Sequence, residues 1–309
     1  MRRLRAIGLL VVAVVAALLL SWWLSGLSMV PRGDGGKASP EGGARGRYRR
    51  VITMSPAVSE IVFALGAGER VVGVSQYTTW PPEAMTKPRC GGFFNPSHEA
   101  ILSLEPDLLV AQGEAGDLTR FARDNGIELL SLDLTDLESI FRETARVGRV
   151  LGLTAEAERV CGELRARLDA VRQRAATRPP VRVLLVTGRE PNALRSIATA
   201  GAGTFLHDAI EVAGGRNVFA DLPSAYGVVN METLIERAPE VVVELHGEGG
   251  DAEALQREVR ELWDGLRTLP AVRQGRVYAV AATYALIPGP RVVLLAERLA
   301  DLLHGEGGR

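Results

Sequence analysis

Cysteine is scarce. The 309 residues include only Cys90 and Cys161, and neither sits in a C-x-x-C or Cys/His spacing that would hold zinc. Cys161 falls in a long helical stretch and Cys90 in a loop after Pro88, so two unpaired thiols are expected. The four histidines, His98, His207, His246 and His304, are far apart and form no HxxxH or HExxH, which argues against a protein metal site. Beyond Tyr48 no Lys/Arg block interleaved with aromatics occurs, and 29 Lys and Arg face 35 Asp and Glu, a net charge of −6. Nucleic acid is therefore not an expected partner. Catalytic signatures are missing as well: there is no GxSxG, no P-loop, and no GxGxxG between a strand and a helix. Gly201-Ala-Gly before Thr204 reads as a helix-start loop, and Gly73-Val-Ser75 lacks the final glycine of a nucleophile elbow. No enzyme activity and no cofactor are expected.

What is present begins with a membrane signal. Arg2, Arg3 and Arg5 precede an uncharged apolar run from Ala6 to Leu24, ending near Trp22 and Trp23. At ~1.5 Å rise per residue such a run approaches a hydrocarbon core of roughly 30 Å. The flanking arginines stay cytoplasmic and send the rest outside, and the tryptophans suit a headgroup interface. Residues 1–28 are thus expected to be an uncleaved anchor, with Gly26-Leu27-Ser28 the alternative site of signal cleavage. Residues 29–47, rich in Gly, Pro and charge, read as a flexible linker.

From Arg50 onward strands alternate with helices, which indicates parallel sheets with covered faces. Val51–Met54, Val71–Val74, Leu108–Ala111 and Ile127–Leu132 are strand-like, and Ser55-Pro56 is a helix start. Thr154 is expected to cap a helix of about two dozen residues, ended by Pro179-Pro180. Strands then resume at 181–187, Val241–Glu244 and Val277–Val280, with helices from about Thr204 to Ala213 and from Pro290 to Leu303. The expected fold class is α/β with two lobes, each a mainly parallel sheet flanked by helices, joined by one long rigid helix, with a ligand cleft between the lobes. The expected boundaries are 48–152 for the N-terminal lobe, 153–178 for the helix and 179–309 for the C-terminal lobe.

One phrase occurs twice. Residues 95–111 read NPSHEAILSLEPDLLVA and residues 228–245 read VVNMETLIERAPEVVVEL. Glu99, Pro106 and Asp107 answer to Glu232, Pro239 and Glu240, and LGAGERVV at Leu65 answers to VAGGRNVF at Val212. Ser97 and Asn230 each precede their glutamate by two positions, placing both carboxylates in the first turn of a helix. A helix dipole favours one such acid by roughly 0.3–1 kcal/mol, but it does not call for the same placement in both lobes.

RVITMSPAVSEIVFALGAGERVVGVSQYTTWPP, together with EAILSLEPDLLVA and GTFLHDAIEVAGGRNVFAD, resembles the substrate-binding proteins of bacterial ABC importers for metal chelates, the receptors for cobalamin, ferric siderophores and haem. The resemblance covers roughly residues 49–304. It implies a cleft-bound cargo and docking on a permease dimer, with Glu99 and Glu232 matching the surface glutamates that meet permease arginines. By the same alignment Tyr77, Phe93 and Tyr226 match loop positions bearing pocket aromatics. Tyr284 and Gln112, after other strands, are further ligand-contact candidates. Arg189, after a C-lobe strand, either meets an anionic group of the ligand or forms a salt bridge, whereas for Arg291 the salt bridge is favoured. If haem is the cargo, Tyr77 or Tyr226 is the expected axial ligand. The rival reading is an anchored extracytoplasmic α/β domain that binds a protein partner in surface signalling or assembly.

Overall fold

The computed structural model describes residues 47–114, 116–247 and 250–305. The expected anchor at 1–28 and nearly all of the linker at 29–47 lie outside the described residues. Among those described, no helix is long and apolar enough to cross a membrane.

The described chain divides into two compact units. The first runs through Thr177 and takes in Ile287–Leu299; the second holds Arg178–Leu286 and the residues described from Ala300 onward. In chain order the first unit carries β1 (Val51–Thr53), α1 (Pro56–Ala64), β2 (Val71–Val74), α2 (Pro82–Met85), α3 (His98–Ser103), β3 (Leu108–Gln112), α4 (Gly116–Asp124), β4 (Glu128–Leu132), α5 (Leu137–Leu151) and α6 (Thr154–Ala175). The second carries β5 (Val181–Gly188), β6 (Ile197–Ala200), α7 (Phe205–Val212), β7 (Gly215–Asn217), β8 (Tyr226–Val229), α8 (Met231–Arg237), β9 (Val241–His246), α9 (Ala252–Trp263), α10 (Pro270–Arg273) and β10 (Val277–Ala281). A last helix, α11 (Val292–His304), is shared between them at Leu299.

The first sheet is parallel throughout, in the order β2-β1-β3-β4. The second contains the same arrangement, β7-β5-β9-β10, also parallel. It is then extended by β6 and β8, which pair antiparallel beyond the point where β7 leaves β5. Apolar runs buried on both faces make the parallel parts: Leu108 to Ala111 and Val241 to Val243 are wholly inaccessible. Each large aliphatic side chain so buried contributes roughly 1.5–3 kcal/mol.

The duplicated phrase has a structural content that its spacing did not disclose. In both copies the chain leaves the helix through a non-glycine residue of positive φ, Glu105 at 43° and Ala238 at 41°, directly before Pro106 and Pro239. In both copies the acid after the proline ties down the neighbouring strand. Asp107 accepts from the backbone N–H groups of Arg49 (2.7 Å) and Arg50 (3.1 Å), and Glu240 accepts from that of Arg182 at 2.9 Å. An arginine at the start of that strand, Arg50 just before β1 and Arg182 within β5, returns the contact to the helix end: Arg50 donates to the Leu104 and Glu105 carbonyls, and Arg182 to the Arg237 carbonyl. Orphan carbonyls at a helix C-terminus are thereby satisfied.

Two details differ from expectation. Leu153, not Thr154, is the N-cap of α6, with no side-chain bond; Thr154 is already helical. The strands β6 and β8 were not expected, because each is four residues long and their pairing carries no period of its own.

Candidate functional site

In a βα unit the strands end where the following helices begin, and ligands gather at that end of a parallel sheet. In the first unit this end carries Tyr77. A buried hydroxyl chain fixes the segment leading to it: Thr53 Oγ1 lies 2.7 Å from Ser59 Oγ, which lies 3.1 Å from Thr78 Oγ1. Arg89 adds bonds to the Ser75 and Thr78 carbonyls at 3.1 and 2.7 Å. Tyr77 itself is exposed. Its ring lies over the Cys90–Phe94 turn, where Gly91 has φ +81° and a Cβ on Gly92 would stand 2.7 Å from Tyr77 Cε2. Glycine at 92 is therefore what lets the tyrosine lie on this turn. Phe93, next in sequence, packs partly against the core of this unit and meets Phe94 edge-on at 5.1 Å. Tyr77 thus lies on the turn that also carries Phe93. Gln112, the last residue of β3, is half-buried opposite Leu132.

A second buried feature of this unit is the pair Glu60–Arg291, 2.7 Å apart, so the salt bridge expected of Arg291 is present. Trp80 lies over the Arg291 guanidinium at 4.9 Å. Cys90 and Cys161 are both buried and unpaired, as expected.

In the second unit Arg189 follows β5, and its guanidinium is not open: Nε donates to both Glu244 oxygens at 2.9 and 3.1 Å. The side chains are 8% and 2% exposed, a buried ion pair. Trp263 Nε1 adds a third bond to Glu244 at 2.6 Å, and His246 Nε2 lies 3.3 Å from its other oxygen. Burial would push the Glu244 carboxyl up, but bonds from His246, Arg189 and Trp263 together hold it below its ordinary value. The salt-bridge alternative for Arg189 is therefore the one realised. Tyr284 lies in the turn after β10, two residues beyond Ala282, whose N–H donates to the His246 carbonyl at 2.9 Å.

Tyr226 departs from expectation. It does not lie in a loop after a strand; it opens β8, paired with Ala200. Its hydroxyl is pushed up to about 12 by burial. Glu244 and His246 were missed by sequence reasoning, although an acid inside the apolar run VVVEL was a signal that a buried partner must exist.

Glu99 and Glu232 are both exposed in the first turns of α3 and α8. Ser97 Oγ accepts from the Ala100 N–H and Asn230 Oδ1 from the Thr233 N–H, so the two helix starts are capped alike. Both helices precede a parallel strand, which puts both glutamates at the same end of their own sheets.

The sequence profile of a family described as periplasmic binding protein matches residues 51–284. The cobalamin-binding protein of Halobacterium salinarum is 32% identical over 269 residues, which cover 82% of this chain and 69% of that protein. Among solved structures, the periplasmic haem-binding protein of Roseiflexus sp. RS-1 superposes with a TM-score of 0.70 at 28% identity, covering 83% of this chain and 98% of that one. The periplasmic vitamin B12 binding protein of Vibrio cholerae gives 0.69 at 25% identity, covering 83% and 96%. With a profile match over most of its length and this fold in both units, the chain belongs to the periplasmic binding protein family.

Proposed function

We propose that this chain is the extracytoplasmic receptor of an ABC importer for a metal chelate, tethered by its N-terminal apolar segment, binding its cargo without chemical turnover. The observation that carries the reading is the exposed Tyr77 seated over Gly92, on the turn that carries Phe93, at the strand ends of a scaffold shared with cobalamin- and haem-binding proteins. A large planar ligand needs apolar area with a few orienting polar groups. Gln112, Tyr226 and Tyr284 are proposed as further contacts, and Arg189 as an indirect one through Glu244. Glu99 and Glu232 are proposed to dock on the permease.

The purified full-length chain in detergent is to be heated with cyanocobalamin, haemin or a ferric siderophore. A ligand at a hundred times its Kd adds about 2.7 kcal/mol to the folded state, so one of the three should raise Tm by several degrees. A broad chelate panel that leaves Tm unmoved refutes the receptor reading. Whether the N-terminal segment is retained is read from the mass of the native protein.

A further inference from the structure

At the end of the second unit where β5 and β10 begin, a cavity of about 490 Å³ is bounded by Arg178, Val181, Arg276, Tyr278, Leu302 and His304. This is the opposite end of the sheet from Arg189 and Tyr284. We propose that the cavity is a binding site for an organic anion, a phosphate or carboxylate head on a small apolar body, with Arg178 and Arg276 holding the head. The inference does not rest on the receptor reading.

Three nitrogen-bearing side chains reach this space from three directions. Arg178 stands before Pro179-Pro180, which lead into β5; Arg276 directly precedes β10; His304 ends α11. Among the described residues that line the cavity there is no acid to balance them. Arg178 is exposed and makes no hydrogen bond or ion pair with a described residue. Arg276 is half-buried and gives one N–H, from Nη2, to the Leu303 carbonyl at 2.9 Å. A guanidinium carries five such donors, so most of those on Arg276 have no partner among the described residues. His304 donates from Nε2 to the Ala213 carbonyl at 3.0 Å, which fixes its ring at the cavity wall. Burial first, and the charges of Arg178 and Arg276 after it, hold that imidazole below the ordinary histidine value, so both guanidiniums bear on the space beside the ring.

Like charges held beside one another repel, and an anion between them removes the repulsion. The planar N–H fork of arginine matches the oxygens of a phosphate or carboxylate. The remaining walls are apolar: Val181, Leu302 and the largely buried ring of Tyr278 offer area that a bare oxyanion leaves unused. Apolar walls with a few convergent polar groups, in a volume of roughly 300–1,000 Å³, are the usual form of a small-molecule site. An anion that carries an apolar body satisfies both halves of this one.

The full-length chain in detergent, isotopically labelled at its four histidines, is titrated with phenyl phosphate and, separately, with inorganic phosphate. Affinity is measured by calorimetry and the site by the nuclear magnetic resonance signals of the imidazoles. Phenyl phosphate should bind saturably and at least about tenfold more tightly than inorganic phosphate, because its ring is removed from water. The His304 signals should move. Arg178→Gln and Arg276→Gln should each weaken phenyl phosphate at least about tenfold, through loss of a charge-assisted contact. Arg178 has no partner in the fold to lose, so Arg178→Gln decides the matter even where Arg276→Gln does not fold. Phenyl phosphate binding that survives Arg178→Gln, or that leaves the His304 signals in place, overturns the proposal. Equal affinity for the two phosphates overturns it as well, and so does the absence of saturable binding.

Discussion

Glu60 and Glu244 are both buried carboxylates facing an arginine, yet they shift in opposite directions. Burial raises Glu60, and although Arg291 gives it a side-chain and a backbone hydrogen bond, its Oε2 has no hydrogen-bond partner among the described residues. Glu244 pays the same desolvation but receives bonds from Arg189, Trp263 and His246, and ends below its ordinary value. The number of donors decides the sign. For Glu244 the folded value lies below the unfolded one, so its stabilisation is full above the ordinary carboxylate range and is lost as pH falls through the folded value. For Glu60 the folded value lies above the unfolded one. Its contribution is full below the ordinary value and is lost as pH rises through the folded value. Urea unfolding between about pH 7 and pH 4 should therefore show wild type gaining on Glu60→Gln with acid and losing ground to Glu244→Gln. Parallel slopes for the two variants would contradict the donor argument. The acid in VVVEL announced a buried partner, but which one was not legible, because Arg189 and Glu244 are 55 positions apart and only the folded sheet makes them neighbours.

At the scale of elements, the repeated phrase was legible as a spacing and opaque as a mechanism. Its helix starts could be placed from Ser97 and Asn230, since N-caps announce themselves locally. The tie from Asp107 to Arg49 and Arg50, and from Glu240 to Arg182, joins segments 57 to 58 positions apart and could not be read. Hydrogen bonds to a charged acceptor contribute roughly 1.5–3 kcal/mol. These bonds are exposed to solvent and worth less than that, so Asp107→Ala, losing two, should cost about 1.5 kcal/mol, and Glu240→Ala, losing one, about half as much. Chemical denaturation checks both, and no loss in either would mean that the tie is dispensable. The long apolar strands were found because burial on both faces leaves an unmistakable run, as at Val241 to Val243. The strands β6 and β8 were missed for the opposite reason. Ile197–Ala200 is short and mostly small, and Val228 of β8 is 60% exposed, so neither carries a pattern that separates a strand from a loop.

Glu99 and Glu232 are unlike most of the other surface acids in that both stand on capped helix starts at matching places in two similar sheets. On the proposed docking, a two-fold permease would meet the two similar units through two equivalent contacts. Glu99→Lys and Glu232→Lys should each weaken capture of the receptor by its permease in reconstituted membranes, and the double reversal should abolish it, with chelate affinity unchanged. A fall in chelate affinity would instead move these residues into the binding site.

The acid–arginine ties at Asp107 and Glu240 have a consequence for how such a protein can change. They fasten each sheet at the end where its strands begin, opposite to the end that carries Tyr77, Gln112 and His246. Segments at the far end can be lengthened, shortened or exchanged without disturbing the fastening. A lineage, or a designer, can rewrite what is carried while keeping the chassis, and a graft of new loops after β2, β5 and β10 is the place to start.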